Sequence, residues 1–179
     1  MKRDIVKPLF QEISHLIDNT RLKVAYQANS ALVMLYWQIG QRINQDVLKH
    51  ERAEYGEQII RQLAKQLKTH YGSGFEATLL FRMVRFIKIY PEPKIVATLS
   101  QLLSWFHFRE LISIEDTLKR DFYTEMCRIE NWSVRLLRQK IDGMLYERTA
   151  IAKKPDKIIK AELIKLKQGD LMYASDELV

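Results

Sequence analysis

The sequence predicts an all-α protein: a multi-helix domain with a long N-terminal helix and a helix-turn-helix-like core, open to a wing. Three observations lead there. Glycine and proline number 6 + 4 = 10 of 179 residues, against roughly 20 at average usage, and sheets need those residues at their many turns. Apolar residues recur at steps of three and four along most of the chain, the period of a helix that buries one face. Only the stretch 94–99, with Ile95, Val96 and Thr98, reads as extended.

From Leu9 to Val47 the sole glycine or proline is Gly40, and apolar positions recur at Leu9, Ile13, Leu16, Ile17, Val24, Ala28, Ala31, Leu35, Ile39 and Ile43. That is one long helix, or two nearly collinear ones, with Pro8 tolerated in the first turn. Asn19, Gln27 and Gln38 interrupt the stripe, so it is irregular for a coiled coil. A helix of such length must lie across its domain or against a partner. A second helix is predicted over 54–71, with Ile59, Ile60, Leu63, Leu67 and Tyr71 on one face and Arg61, Lys65 and Lys68 on the other. Gly72-Ser73-Gly74 stops it as a three-residue break, because glycine accepts the left-handed turn at a helix end. The third helix covers 76–90, buried through Leu79, Leu80, Met83, Val84 and Ile87, and is ended by Pro91 and Pro93.

Helices are further expected over 104–112 and 116–130, then one from Val134 to Thr149 capped by Asn131 or Ser133, whose side-chain oxygens can take up free first-turn N–H groups. From Ala152 the composition shifts. Lys153, Lys154, Lys157, Lys160, Lys165 and Lys167 face only Asp156 and Glu162 up to residue 167. We therefore expect one helical domain over 1–150 and a basic helical tail or linker over 151–179.

Composition narrows the function classes. The single Cys127 excludes an intramolecular disulfide and a cysteine-rich zinc module. The longest apolar run, Ala31–Trp37, is far below the ~20 residues of a membrane span. Lys7 and Pro8 follow the start too soon for a signal-peptide core. A cytoplasmic protein with no membrane partner is the expectation. The net charge of +7 favours an anionic partner without demonstrating one.

Catalytic signals are sparse, and the reading is of a segment that is not an enzyme. His15, His50, His70 and His107 are dispersed, and His107 has an acid one turn away, Glu110. Two such ligands without further donors favour a structural histidine over a metal site. Cys127 lies among Phe122 and Met126 and reads as a buried, inert thiol. No phosphate-binding glycine loop is present, and neither a cofactor nor a small-molecule substrate is called for. Glu92-Pro93-Lys94 spells the E-x-K of metal-dependent nucleases, but proline-flanked and without a strand it reads as coincidence.

The helix–turn–helix around Gly72 carries more. In such units the second helix enters the major groove. Opposite its apolar stripe this helix carries Thr78, Arg82, Arg85 and Ile89, bordered by Phe81 and Lys88. Arginine forks onto guanine edges, and Thr78 suits a phosphate. The plain alternative is a helical hairpin with a solvated basic face. Candidate nucleic-acid-binding residues are thus Thr78, Arg82, Arg85, Lys88, Lys65 and Lys68, with Lys157 and Lys160 in the tail.

One further pattern runs through the chain. Tyr36-Trp37-Gln38-Ile39-Gly40-Gln41-Arg42-Ile43 is followed by Ala53-Glu54-Tyr55-Gly56, Leu63-Ala64-Lys65-Gln66-Leu67 and Gly72-Ser73-Gly74-Phe75. Leu99-Ser100-Gln101-Leu102, Ser104-Trp105-Phe106-His107-Phe108-Arg109-Glu110-Leu111, Asn131-Trp132-Ser133-Val134-Arg135 and Leu145-Tyr146-Glu147-Arg148 complete it. In order and spacing, over roughly 10–150, these segments resemble the N-terminal domain of the YhcG-type nuclease family. The resemblance implies a helical, helix-turn-helix-like domain that precedes a PD-(D/E)XK nuclease domain in family members. Nothing in the present 179 residues reads as that nuclease sheet, so its catalytic residues do not transfer. Glu76 stands where the family has a serine cap; an acid suits the helix dipole but repels a phosphate. The tryptophans Trp37, Trp105 and Trp132 read as core anchors, and Gly40 as a point of close helix approach. The expected function is a non-catalytic DNA-binding or targeting domain of a nuclease-like bacterial protein. The alternative is a protein–protein module, with the first helix making a homodimer.

Overall fold

A computed structural model describes residues 6–48 and 53–152. Among them are eight helices and no strand: α1 (Val6–Leu48), α2 (Ala53–Tyr71), α3 (Ala77–Ile89), α4 (Pro93–Leu99), α5 (Trp105–Leu111), α6 (Thr117–Glu130), α7 (Val134–Asp142) and α8 (Leu145–Ala152). The all-α expectation, with its long first helix, is met. The basic tail, with Lys157 and Lys160, lies outside the described residues. The chain divides into two compact units, Met1–Trp105 and Phe106–Val179.

In the first unit α1 packs on α3, with α2 against both and α4 against α1. The packing face of α1 is Val33, Trp37, Gly40 and Ile43, all buried, at steps of four, three and three. Gly40 sets the approach: a Cβ there would stand 2.2 Å from the Met83 carbonyl oxygen, so α3 backbone occupies the space. Trp37 is buried, and its indole N–H donates to the Tyr90 carbonyl at 2.8 Å, tying α1 to the end of α3. Phe86, fully buried, meets Trp105 edge-on at 5.4 Å. Asn29 donates to the carbonyls of Ser100 and Leu103, satisfying groups left free where α4 ends.

Three local expectations are corrected. The stretch 94–99 is helical rather than extended, so no wing forms there. Pro93 presets the first-turn backbone angle, and burial of Val96 and Leu99 on one side overrides the strand preference of Ile95 and Val96. The helix expected over Val134–Thr149 is two helices, broken at Gly143 and at Met144, whose φ is +51°. Of the apolar stripe read along α1 only Ile43 is buried. Leu9, Ile13, Leu16, Ile17 and Val24 are exposed, and Leu35 in the second half is exposed as well.

The second unit is built around Tyr123, fully buried, whose hydroxyl donates to the Lys140 carbonyl and accepts from the Tyr146 N–H. Phe108, Leu111, Ile112, Cys127, Trp132 and Leu137 pack with it in the interior. Asp116 caps α6 by accepting from the Lys119 N–H. Ser133, not Asn131, caps α7, accepting from Leu136; Asn131 instead ends α6 in the left-handed conformation, φ +51°. All three tryptophans are buried, so they anchor cores.

Candidate nucleic-acid interface

The connection between α2 and α3 begins at Gly72, whose φ is +82° and whose N–H closes on the Lys68 carbonyl. It spans residues 72–76, five residues rather than the three read from the glycines alone. Glu76 is the N-cap residue of α3, but its side chain makes no capping bond. Buried Leu80, Met83, Val84 and Phe86 turn the opposite side of α3 outward. Thr78, Arg82, Arg85 and Lys88 are exposed on that side. The expected stripe omits Phe86. It follows Met83 by three residues on the buried line Leu80–Met83–Phe86, and it meets the rings of Tyr90 at 5.6 Å and Trp105 at 5.4 Å.

Lys65 and Lys68 stand exposed on α2. Because α2 and α3 reverse direction at Gly72, the end of α2 accompanies the start of α3. Arg61 stacks its guanidinium over the Phe81 ring at 5.9 Å, bringing the two basic stripes edge to edge. Among the described residues, no carboxylate pairs with Lys65, Lys68, Arg82, Arg85 or Lys88. The exposed Arg61–Glu57 pair, 3.8 Å apart, is the acidic contact at this edge.

A second helix–turn–helix, not singled out in the sequence, joins α6 to α7 across residues 131–133. Arg135 and Arg138 are exposed on its second helix. Here Arg138 and its neighbours are engaged, though among the described residues Arg135 is not. Arg138 bonds Glu110 at 2.7 Å, Lys140 lies over the Trp132 ring, Arg128 pairs with Glu125 and Lys119 with Glu147. The bond from Arg138 holds the Glu110 carboxyl below its ordinary pKa.

The other candidate groups have structural partners. His107 is buried, its Nε2–H donating to the Trp132 carbonyl at 2.8 Å, and burial lowers its pKa despite that bond. Glu110 faces arginines, so the His107–Glu110 pair does not converge on a common point. Burial pushes the Cys127 thiol up to about 12, which suits an inert core residue. His15 and His70 are exposed on separate helices, and His50 lies outside the described residues. Glu92 precedes α4 and Lys94 sits in its first turn, both exposed. Among the described residues no three histidine, cysteine or carboxylate side chains gather as metal ligands. An open cleft of about 370 Å³ lies at Glu110, Ile114, Asp116 and Lys119, but its charged groups already bind Arg138, the α6 N-terminus and Glu147. No described helix is long and apolar enough to cross a membrane.

Fold and surface together define an all-helical domain in which, among the described residues, the exposed cations of α3 have no carboxylate partner. The chain belongs to the DUF1016 N-terminal domain family, whose model matches residues 12–148. It is also similar to a protein of Escherichia coli (strain K12) named "Putative nuclease YhcG", 29% identical over 170 residues that cover 78% of this chain and 45% of that protein. The chain thus spans less than half the length of that relative. No solved structure matches it.

Proposed function

We propose that this chain is a non-catalytic DNA-binding or targeting domain of a nuclease-like protein, with α3 docking in the major groove of duplex DNA. The observation that carries the reading is the exposed row Thr78, Arg82, Arg85 and Lys88, flanked by Lys65 and Lys68, without a paired carboxylate among the described residues. Cations tied to acids gain little from a phosphate. Unpaired ones release the counterions of DNA on binding, and that release supplies affinity. The relative's name, a nuclease, is compatible with a nucleic-acid partner, and the net charge of +7 agrees in sign.

Fluorescence anisotropy with a labelled duplex at two salt concentrations tests the reading. Binding that falls steeply with salt, and weakens in the Arg82→Ala/Arg85→Ala variant, supports it. A protein–protein module without DNA contact predicts no binding at either salt. If Lys157→Ala/Lys160→Ala abolishes binding while the double arginine variant binds like the parent, the tail is the electrostatic site and the reading of α3 is wrong.

A further inference from the structure

Among the described residues the first half of α1 has no packing partner. Residues 6–28 rise about 34 Å at 1.5 Å per residue, and none of their side chains is buried. Phe10 is 69% exposed, Leu16 68%, Val24 58%, and Leu9, Ile13 and Ile17 close to half. With Val6, these side chains present on the order of 700 Å² of apolar surface. That exceeds the ~300–600 Å² of the largest patch on a typical monomer and approaches the ~800 Å² each partner buries in a standard complex.

Restricted to this exposed half, the spacing is regular. Phe10, Ile13, Ile17, Thr20, Val24 and Gln27 alternate steps of three and four without a break, which is the heptad seam of a left-handed coil. Thr20 fits an apolar seam because its hydroxyl already donates to the Leu16 carbonyl at 2.8 Å. Thr20 and Gln27 are the two polar positions of the seam, and positions of that kind fix register at a cost in stability. We propose that the first half of α1 pairs with the same segment of a second copy of this chain, forming a two-stranded coiled coil through Phe10, Ile13, Ile17, Thr20, Val24 and Gln27.

A second copy is favoured over the chain's own basic tail by charge. Residues 6–28 carry Lys7, Arg21 and Lys23 against Glu12 and Asp18, a net 3 − 2 = +1, so two copies barely repel. Residues 153–167 carry six lysines against two acids and offer this segment no complementary charge. The proposal goes beyond the DNA reading and does not depend on it.

Light scattering of the full chain at high micromolar concentration is expected to give 2 × 21.2 = 42.4 kDa. The Ile13→Asp/Ile17→Asp variant should run as a monomer with unchanged helical circular dichroism, while Arg82→Ala/Arg85→Ala remains a dimer. Ile159→Asp/Leu163→Asp, in the tail, should also remain a dimer. A monomeric parent, a higher oligomer, a dimer that survives the Ile13/Ile17 change, or one that dissociates with the tail variant would each overturn the proposal.

Discussion

The two helical hairpins, α2–α3 and α6–α7, use the same local devices to different ends. Both join two amphipathic helices through a residue in the left-handed conformation, Gly72 in one and Asn131 in the other. Around α6 and α7 the cations are committed to the fold: Arg138 to Glu110, Arg128 to Glu125, Lys119 to Glu147, Lys140 to the Trp132 ring. On the exposed face of α3, Arg82, Arg85 and Lys88 have no such carboxylate partners among the described residues. The shape of a helix–turn–helix therefore says little by itself about what it binds. What separates the two units is that Arg138 on α7 already faces a carboxylate, whereas among the described residues no cation on the outer face of α3 does.

The largest expected effect probes packing in the first unit. Gly40→Ala places a Cβ against the Met83 carbonyl, which is backbone and cannot swing away, so α1 and α3 must separate. A loss of about 3 kcal/mol is expected, at the upper end of overpacking effects. In the second unit, Tyr123→Phe removes one donor and one acceptor without opening a cavity, leaving the Lys140 carbonyl and the Tyr146 N–H without the hydroxyl. That change should cost about 2 kcal/mol. Urea denaturation of both variants ranks the two; a Gly40→Ala protein as stable as the parent would show that the helices are not in backbone contact.

The charge contrast is tested by paired substitutions. Arg82→Ala/Arg85→Ala should change stability by about 0.5 kcal/mol or less per site, as at ordinary surface positions. It should flatten the salt dependence of DNA binding by about 0.9 in slope for each phosphate no longer neutralised. Base recognition would appear instead as relaxed sequence preference, about 1–3 kcal/mol on the preferred site. Arg138→Ala should do the reverse, lowering stability by freeing Glu110 while DNA affinity stays near the parent's. Equal loss of affinity from both changes would erase the distinction between the units.

Much of this contrast is legible in the sequence, because its signals are local. Gly72 and Pro91 bracket α3, Ser133 is one of the two residues offered as the cap of α7, and the exposed row from Thr78 to Lys88 follows from helical periodicity. What is not legible depends on tertiary partners. Phe86 follows Met83 by three residues on the buried line of its own helix, so its burial is legible from spacing although the expected stripe omits it; its edge-on meeting with Trp105 is not. On α1 the core role of Trp37 and the close approach at Gly40 are legible, whereas the aliphatic stripe takes Leu35, which is exposed, and omits Val33, which is fully buried. Residues 94–99 look like a strand by composition and become a helix because Pro93 starts one. The break at Gly143 and Met144 needs a left-handed methionine, which no propensity anticipates. Engagement of Arg138 with Glu110 joins residues 28 positions apart, so the neutralised charge of α7 is invisible too.

A pH titration of stability sharpens the same comparison through the second unit. His107 has its pKa lowered by burial, so the unfolded chain takes up that proton first as pH falls. Its contribution is complete above the unfolded value near 6.5 and is lost as pH falls from there through the folded value. Glu110, held low by Arg138, acts with the same sign at lower pH: its contribution is complete above the ordinary carboxylate range and is lost as pH drops through its depressed folded value. His107→Gln should remove the first limb of the acid loss and Glu110→Gln the second. Identical acid limbs in parent and variants would show that neither group is coupled to folding.

The smallest expected effect is none at all, and it concerns the Glu92-Pro93-Lys94 element. A metal-dependent nuclease needs its carboxylates converging on one cation, commonly from adjacent strands, so that the ion can activate water and steady the leaving oxygen. Here Glu92 has an extended backbone just ahead of α4, Pro93 opens that helix, and Lys94 lies exposed within its first turn. Among the described residues no set of three ligands gathers there or elsewhere. Purified chain incubated with supercoiled plasmid and magnesium or manganese should leave the plasmid intact, and Glu92→Ala should behave as the parent does. Cleavage that required a divalent cation and disappeared in Glu92→Ala or Lys94→Ala would move the chemistry into the first unit. The unpaired face of α3 would then position DNA for a site on the same chain, and the non-catalytic reading would be wrong.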